Sequence, residues 1–205
     1  MTESDREAIA TLTAAFVDDP LMGWIFDDPL TRPELLGTWW TWMLVHRPGH
    51  ARVLATDDRQ SAALWYGPDP VGDDAQRDFP ALLVSLLGEA QAHEKLRGLA
   101  VIPAAHPRDE RHWYLAAVGT RPGAQGQGSA LRVLTPVLAE ADELGVGAYL
   151  ESSNVRNVAF YERLGFVATG TIRIPGGPFL TPMWRSAPGR GGHRERRGRG
   201  TPPRG

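Results

Sequence analysis

A chain of 205 residues, 42% hydrophobic and 22% charged, is long enough for one well-packed globular domain. No stretch of it approaches the roughly 20 apolar residues of a membrane span. The absence of cysteine excludes disulfides, thiolate metal sites and a cysteine nucleophile, and the acidic, polar first residues are unlike a secretory signal peptide. We therefore expect a cytoplasmic protein with no metal site and no membrane contact.

Charge is divided unevenly along the chain. Residues 186–205 contain six arginines and one glutamate, a balance of +5 in a chain of net charge −2, which leaves −7 for residues 1–185. The tail is rich in glycine and proline and buries too little apolar surface to offset its ordering entropy. We predict a folded domain over 1–185 and a disordered tail over 186–205, either without a specific role or in contact with RNA.

Apolar periodicity divides the first half of the chain into helices and two strands. Ser4 is predicted to cap the first helix, and Pro20 to stop it. In chain order the predicted elements are helices over residues 4–18 and 32–46, strands over 51–56 and 61–66, and helices over 76–87 and 89–100.

The second half alternates strands and helices. Gly145 is predicted to end the longest helix, and Pro136 to kink it. The predicted elements are a strand over residues 112–119, a helix over 128–144, a strand over 147–151, a helix over 154–163, and strands over 166–172 and 179–185. This order predicts an α/β fold, a single domain built on one mixed sheet.

A glycine-rich turn, QGQGSAL over residues 125–131, lies where a strand gives way to the longest helix. The N-terminus of a helix has unpaired N–H groups and the positive end of its dipole, and glycine lets an anion approach them closely. The turn lacks the Lys-Ser/Thr ending of a P-loop and the full glycine pattern of a dinucleotide fold. On this stretch alone, an ordinary loop and a phosphate site both stay open.

Two stretches at suitable spacing resemble the signatures of the GCN5-related N-acetyltransferase (GNAT) family. HWYLAAVGTRPGAQGQGSAL is similar to its coenzyme A-binding motif, Gln/Arg-x-x-Gly-x-Gly/Ala, and YLESSNVRNVAFYERLGF to its second signature. The matching positions are Gln125, Gly128, Ala130, Asn154, Tyr161, Gly165 and Phe166. Further segments over residues 8–185 resemble the puromycin N-acetyltransferase group. The resemblance implies a GNAT-like fold whose usual first strand is missing, because the sequence begins almost at the first helix.

The resemblance implies transfer of an acetyl group from acetyl-CoA to a primary amine of a small molecule. The implied acceptor is an aminonucleoside antibiotic such as puromycin. The implied role is therefore antibiotic resistance. Amides of the turn would hold the pyrophosphate. Backbone groups of the preceding strand would bind the pantetheine arm and the acetyl oxygen. The implied cofactor residues are Val118, Thr120, Gln125, Gly126, Gln127, Gly128, Ser129, Ala130, Asn154 and Asn157.

Two residues are candidates for catalysis. Tyr161 stands where the family has its general acid, since a phenol with a pKa of about 10 can protonate a departing thiolate; a tyrosine packed against the sheet is the alternative. Glu151, at the end of a strand near the cleft, is the candidate base, and a structural or solvated carboxylate is the alternative. His112 and Tyr114 share one face of the neighbouring strand and are further proton acceptors.

Seven tryptophans are many for a chain of this length. In the family the N-terminal region lines the acceptor pocket, and flat aromatic walls suit a nucleoside-like amine; core packing is the alternative. The candidate pocket residues are Trp24, Phe26, Trp39, Trp40, Trp42, His112 and Tyr114.

Other functions remain open at this stage. One is acetylation of a protein N-terminus or a lysine. A peptide acceptor needs an open groove, whereas a small amine needs a closed pocket. Another is a non-catalytic regulator that binds acyl-CoA, and a third is an RNA-associated protein that acts through its basic tail. Monomer and homodimer both remain open.

Overall fold

The computed structural model describes residues 1–46, 51–69 and 74–189. Short 3-10 turns lie at Pro122–Ala124 and Val155–Asn157. The helices and strands are α1 Glu3–Phe16, α2 Pro20–Ile25, α3 Arg32–Val45, β1 Ala51–Ala55, β2 Ser61–Tyr66, α4 Asp74–Leu87, α5 Glu89–Leu99, α6 Val101–Ala105, β3 His112–Thr120, α7 Ser129–Glu143, β4 Gly147–Ser152, α8 Val158–Glu162, β5 Val167–Ala168, β6 Ile172–Arg173 and β7 Phe179–Arg185.

The strands form one sheet in the order β1-β2-β3-β4-β7-β5, with β6 paired to β7. The β3–β4 pair is parallel, and the other strand pairs recorded in the described residues are antiparallel. The prediction of a single α/β domain with a mixed sheet is therefore confirmed. In the described residues no strand precedes α1, and none of the helices has the length and apolar character needed to cross a membrane.

The sheet separates two hydrophobic cores, and β2 contributes to both. Leu64 and Tyr66 pack in the layer that holds α1 and α3, whereas Ala63 and Trp65 pack against α7. Side chains of a strand alternate between faces, so a run such as SAALWY can be buried throughout. The continuous apolar run is thus explained by the position of β2 as an interior strand of a sheet that is covered on both faces.

The start of the chain differs from the prediction in its cap. Thr2, and not Ser4, caps α1: the Thr2 hydroxyl accepts from Asp5 N at 3.1 Å, and the Asp5 carboxylate accepts from Thr2 N at 2.6 Å. Ser4 has the same spacing to Glu7, but the Glu7 carboxylate pairs with Arg59 instead, so the reciprocal pair forms at Thr2. Ser4 therefore lies inside the helix.

The segment after α1 also differs. Asp19 and Pro20 do not simply end a helix, because the Asp19 carboxylate accepts from Leu21 N at 2.9 Å and Met22 N at 3.1 Å and so caps α2. Proline is favourable in the first turn of a helix because its missing N–H would be unpaired there in any case. The same two residues that suggested a stop thus start a second helix.

Near the C-terminus, the single strand predicted over residues 166–172 is two short strands, β5 and β6. Both pair with β7, on either side of Pro182, which has no N–H to donate to a ladder. Thr169 N donates to Pro182 O at 2.9 Å, and the chain changes course there. The described structure ends at residue 189, so most of the predicted tail lies outside the described residues.

The ladder between β3 and β4 ends early. It joins His112–Leu115 to Gly147–Leu150, although β3 continues to Thr120 and β4 to Ser152. On the other side of β3, Trp65 pairs with Leu115 and Leu64 with Ala117, which leaves Ala116 as an extra residue. Such a bulge bends a strand and increases its twist. The carboxyl ends of the two parallel strands are therefore not joined to each other.

Close packing of α1 on the free end of β3 requires a glycine. A Cβ built on Gly119 would lie 2.5 Å from the Ala15 Cβ, whereas one on Gly37 in α3 would meet nothing within 4 Å. We expect Gly119→Ala to lower the free energy of unfolding by about 1–3 kcal/mol, because α1 must move away. We expect Gly37→Ala to raise it by about 0.5–1 kcal/mol, because alanine favours the helix. Urea unfolding of both variants checks this; equal stability of Gly119→Ala and wild type would contradict the packing.

Candidate active site

A cleft of about 1030 Å³ opens where β3 and β4 part. Its walls are the free end of β3, the end of β4, the turn that leads into α7, the segment around α8 and the connection between α1 and α2. The cleft thus lies at the carboxyl ends of the two parallel strands, where open α/β sheets commonly bind ligands.

The glycine-rich turn forms one wall in a conformation that depends on glycine. Gly126 has φ +77° and Gly128 has φ +74°, values that cost an L-residue about 1–2 kcal/mol. A Cβ at Gly126 would meet nothing within 4 Å, so the space beside the turn is open. Gly128 is also the N-cap of α7, so the unpaired amides and positive dipole end of that helix belong to this turn. The wall has the properties of an anion site.

The residues predicted to bind the cofactor come together along this cleft, with one exception. Gln127 is exposed beside it and does not line it. Asn154 accepts from Arg156 N at 3.0 Å and caps the 3-10 turn before α8. The predicted residues that line the cleft are Val118, Thr120, Gln125, Gly126, Gly128, Ser129, Ala130, Asn154 and Asn157.

Tyr161 also lines the cleft, and its ring packs edge-on against Phe160 and Phe166 at 5.3 and 6.0 Å between centroids. Burial, and then the nearby Asp19 carboxylate, raise the pKa of the Tyr161 phenol above its usual value. Burial likewise raises the pKa of Asp19, which accepts a hydrogen bond from the Ser153 hydroxyl. The phenol is therefore protonated at neutral pH.

Glu151 lines the cleft with a side chain that is only 5% exposed. Its Oε1 atom is buried and accepts no hydrogen bond in the described structure. It faces His106, whose Nδ1 lies 3.7 Å from that oxygen. Tyr149, two residues before Glu151, shares its face of β4, and burial, then the charge of Glu151, raise the pKa of the Tyr149 phenol.

His112 and Tyr114 lie behind Glu151 and not in the cleft lining. The His106 ring contacts the rings of Tyr114 and Tyr149 at 4.8 and 4.9 Å, and its Nε2 lies 3.1 Å from His112 Nε2. Burial lowers the pKa of His112, and His106 adds to this effect. Sequence reasoning did not find His106, because it follows a short helix and belongs to no recognisable motif.

Of the aromatic residues predicted for the acceptor pocket, Trp40 lines the cleft, beside Phe16 at 5.0 Å between centroids. The structure places the others elsewhere. Phe26 and Trp39 are in the core, Trp42 stacks on His46, and Trp24 lies against Gly98 and Gly177 beneath Lys95. Because α3 carries apolar residues on several faces, its periodicity could not decide which tryptophan faces the cleft.

Charged residues in the cleft lining come from three regions. Asp18 and Asp19 come from the connection between α1 and α2, and Glu151 from β4. Arg156 and Arg163 come from the segment around α8. Among the described residues no group of histidine, aspartate and glutamate is arranged to hold a metal ion. The carboxylates suit a cationic amine, and the arginines suit phosphate groups.

Known proteins resemble this chain along most of its length. The model of the acetyltransferase (GNAT) family matches residues 53–166. An uncharacterised N-acetyltransferase of Schizosaccharomyces pombe is 28% identical over 180 residues, which cover 82% of this chain and 73% of that protein. A crystal structure from Corynebacterium glutamicum, described as a histone acetyltransferase and related acetyltransferase, has 26% identity and a TM-score of 0.63, covering 91% of this chain and 93% of its own.

A more distant structure shares the fold alone. It is the polyamine N-acetyltransferase of Drosophila melanogaster, described as catalysing the formation of N-acetylagmatine. Its TM-score is 0.56 at 14% identity, with 89% of this chain and 94% of that chain covered.

Proposed function

The chain belongs to the acetyltransferase (GNAT) family, so it is an acyltransferase that moves acetyl groups to amines; we propose that its donor is acetyl-CoA and its acceptor the primary amine of a small molecule. One observation carries the proposal. A single cleft combines an anion wall at the N-terminus of α7 with a phenol and a buried carboxylate. These are the parts needed to bind a pyrophosphate and to move protons beside it.

Acetyl-CoA fits the walls of the cleft. Its pyrophosphate would lie at the turn, where Gly126 and Gly128 leave the backbone amides uncovered. Its pantetheine arm has amides that can bond to β3 from Ala116 to Thr120, the stretch that continues beyond the ladder with β4. Val118 and Thr120 are the residues of this stretch to which we assign those bonds.

Bound acetyl-CoA supplies an activated acetyl thioester. Tyr161 would donate a proton to the sulfur that leaves. Its raised pKa keeps the phenol protonated at neutral pH and also makes it a weaker acid than a solvent-exposed tyrosine. Glu151 would accept a proton from the acceptor nitrogen, because only a neutral amine has the free electron pair that attack requires.

The acceptor is best described as a small amine that arrives as a cation. Asp18, Asp19 and Glu151 contribute negative charge to the lining, which attracts such an ion. The more specific proposal of an aminonucleoside such as puromycin, and so of antibiotic resistance, rests on the sequence resemblance. Phe16 and Trp40 provide one aromatic wall for its ring.

The first prediction concerns the reaction itself. With acetyl-CoA, we expect the purified protein to release free thiol in the presence of small primary amines, in a panel headed by puromycin. The measurement is the rate of thiol release for each amine. Fast release with puromycin alone supports the aminonucleoside acceptor. No release with any small amine, while acetyl-CoA still binds, would overturn the proposal in favour of a peptide acceptor or a non-catalytic role.

The second prediction concerns the anion wall. We expect Gly128→Val to raise the Kd of acetyl-CoA at least about tenfold, because a branched side chain would cover the amides. Gly176→Val is the matched control, since Gly176 has φ +69° with nothing within 4 Å of its Cβ position and lies outside the cleft. Calorimetric titration of both variants separates backbone strain from lost binding. Equal Kd values for Gly128→Val and Gly176→Val would show that the turn does not bind acetyl-CoA.

The third prediction concerns the phenol. We expect Tyr161→Phe to lower kcat by about 100-fold and to leave the KM of acetyl-CoA nearly unchanged, because the lost hydroxyl acts on the leaving sulfur. Tyr66→Phe is the control, since the buried Tyr66 hydroxyl donates to Met43 O at 2.9 Å outside the cleft. Steady-state kinetics check this. A kcat for Tyr161→Phe equal to that of wild type would show that Tyr161 is not the acid.

A further inference from the structure

Two histidines behind Glu151 form a chain of polar contacts that consists of two hydrogen bonds and one longer approach. His112 Nδ1 lies 2.7 Å from the Glu110 carbonyl oxygen, His112 Nε2 lies 3.1 Å from His106 Nε2, and His106 Nδ1 lies 3.7 Å from Glu151 Oε1. The contacts run from the first residue of β3 to the carboxylate in the cleft.

The chemistry of each partner fixes where the protons are. A carbonyl oxygen only accepts, so His112 must carry its proton on Nδ1. Since burial favours neutral His112, its Nε2 is then an acceptor, and His106 must donate from Nε2. A neutral His106 therefore has its free electron pair on Nδ1, the atom that faces Glu151.

Glu151 needs a proton donor at the same place. Its Oε1 is buried without a hydrogen bond in the described structure, and leaving a buried carboxylate oxygen unpaired is costly. Neutral His106 offers it only a lone pair. One proton between Oε1 and Nδ1 would satisfy both atoms.

We propose that His106 is a relay residue that takes from Glu151 the proton released by the acceptor amine and passes it to solvent. The N–H bond of the ammonium breaks and leaves its electron pair on nitrogen, and the proton binds the Glu151 carboxylate. The proton then moves to His106 Nδ1, which gives an imidazolium beside a regenerated carboxylate. His106 is 29% exposed, so water can take the proton and return the ring to its neutral form.

The surroundings of His106 favour this role over a structural one. The titratable side chains that face it in the described residues are His112 and Tyr114 from β3 and Tyr149 and Glu151 from β4. Burial lowers the pKa of His112 and raises that of Tyr149, so neither takes up the proton at neutral pH. The protonated Tyr149 hydroxyl can donate to Glu151 but cannot accept a proton that Glu151 has taken from the amine. The two imidazoles use their Nε2 atoms on each other, which agrees with the absence of a metal-binding group in the described part of the chain.

The inference rests on the proposed function, and one part of its test is independent of activity. ¹⁵N NMR of the histidine rings in the unliganded protein should find neutral His106 protonated on Nε2 and neutral His112 protonated on Nδ1. Neutral His106 with its proton on Nδ1 would overturn the relay, whatever the enzyme's activity.

The kinetic part uses His106→Gln, whose amide nitrogen can still donate to His112 but which offers no base to Glu151. We expect its kcat to fall at least about tenfold, with the KM of acetyl-CoA within about twofold of wild type. Imidazole should restore part of the rate to His106→Gly. His93→Gln, at an exposed site on α5, is the matched control and should keep the full rate.

The outcomes separate the two proposals. A wild-type rate for His106→Gln, or an imidazole-insensitive His106→Gly, would overturn the relay alone. An inactive wild type would overturn the acetyltransferase assignment to small amines, and the NMR result would still decide the tautomer of His106. Urea unfolding of His106→Gln shows whether a lower rate comes from a less stable protein.

Discussion

The early end of the β3–β4 ladder is the constraint on which the rest of the site depends. Parallel strands normally satisfy each other's backbone groups along their whole shared length. Here pairing stops at Leu115 and Leu150, next to the extra residue Ala116. One inserted residue in β3 therefore opens a cleft, leaves a strand edge available to an extended ligand and sets the entrance of the turn that follows.

The acidic wall of the cleft is held from a distance by one arginine. The Arg32 guanidinium donates to Val17 O at 2.7 Å, Phe26 O at 2.6 Å and Asp27 O at 3.2 Å. It thereby ties both ends of the segment that contains α2 to the start of α3. Asp19 caps α2 from inside this segment and lies near Tyr161 as a result. The position of the carboxylate beside the phenol follows from backbone capping, and no local feature of Tyr161 reveals it.

Features that are set by residues close together in sequence could be predicted from the sequence. The order of strands and helices, the turn at Gly126 and Gly128 and the cap at Asn154 depend on neighbours within a few residues, and each could be anticipated. The bulge at Ala116 could not, because a register shift is a relation between two strands far apart in sequence. His106 could not be predicted either, since its proposed role depends on contacts with His112 on β3 and Glu151 on β4. The tryptophans of α3 were ambiguous because a helix with apolar side chains on several faces has no single buried face.

Successive side chains of β4 point to opposite faces of the sheet, and this alternation separates the core residue from the polar residues. Leu150 joins the core beneath α7, whereas Tyr149 and Glu151 turn to the face that holds the histidines. A slip of one residue would exchange these faces and place Leu150 beside His106. Trp184 opposes such a slip, because its ring occupies the space that a side chain on Gly147 would need and also packs on His112 at 5.2 Å. The absence of a side chain at Gly147 thus helps to fix the register that puts Glu151 beside His106.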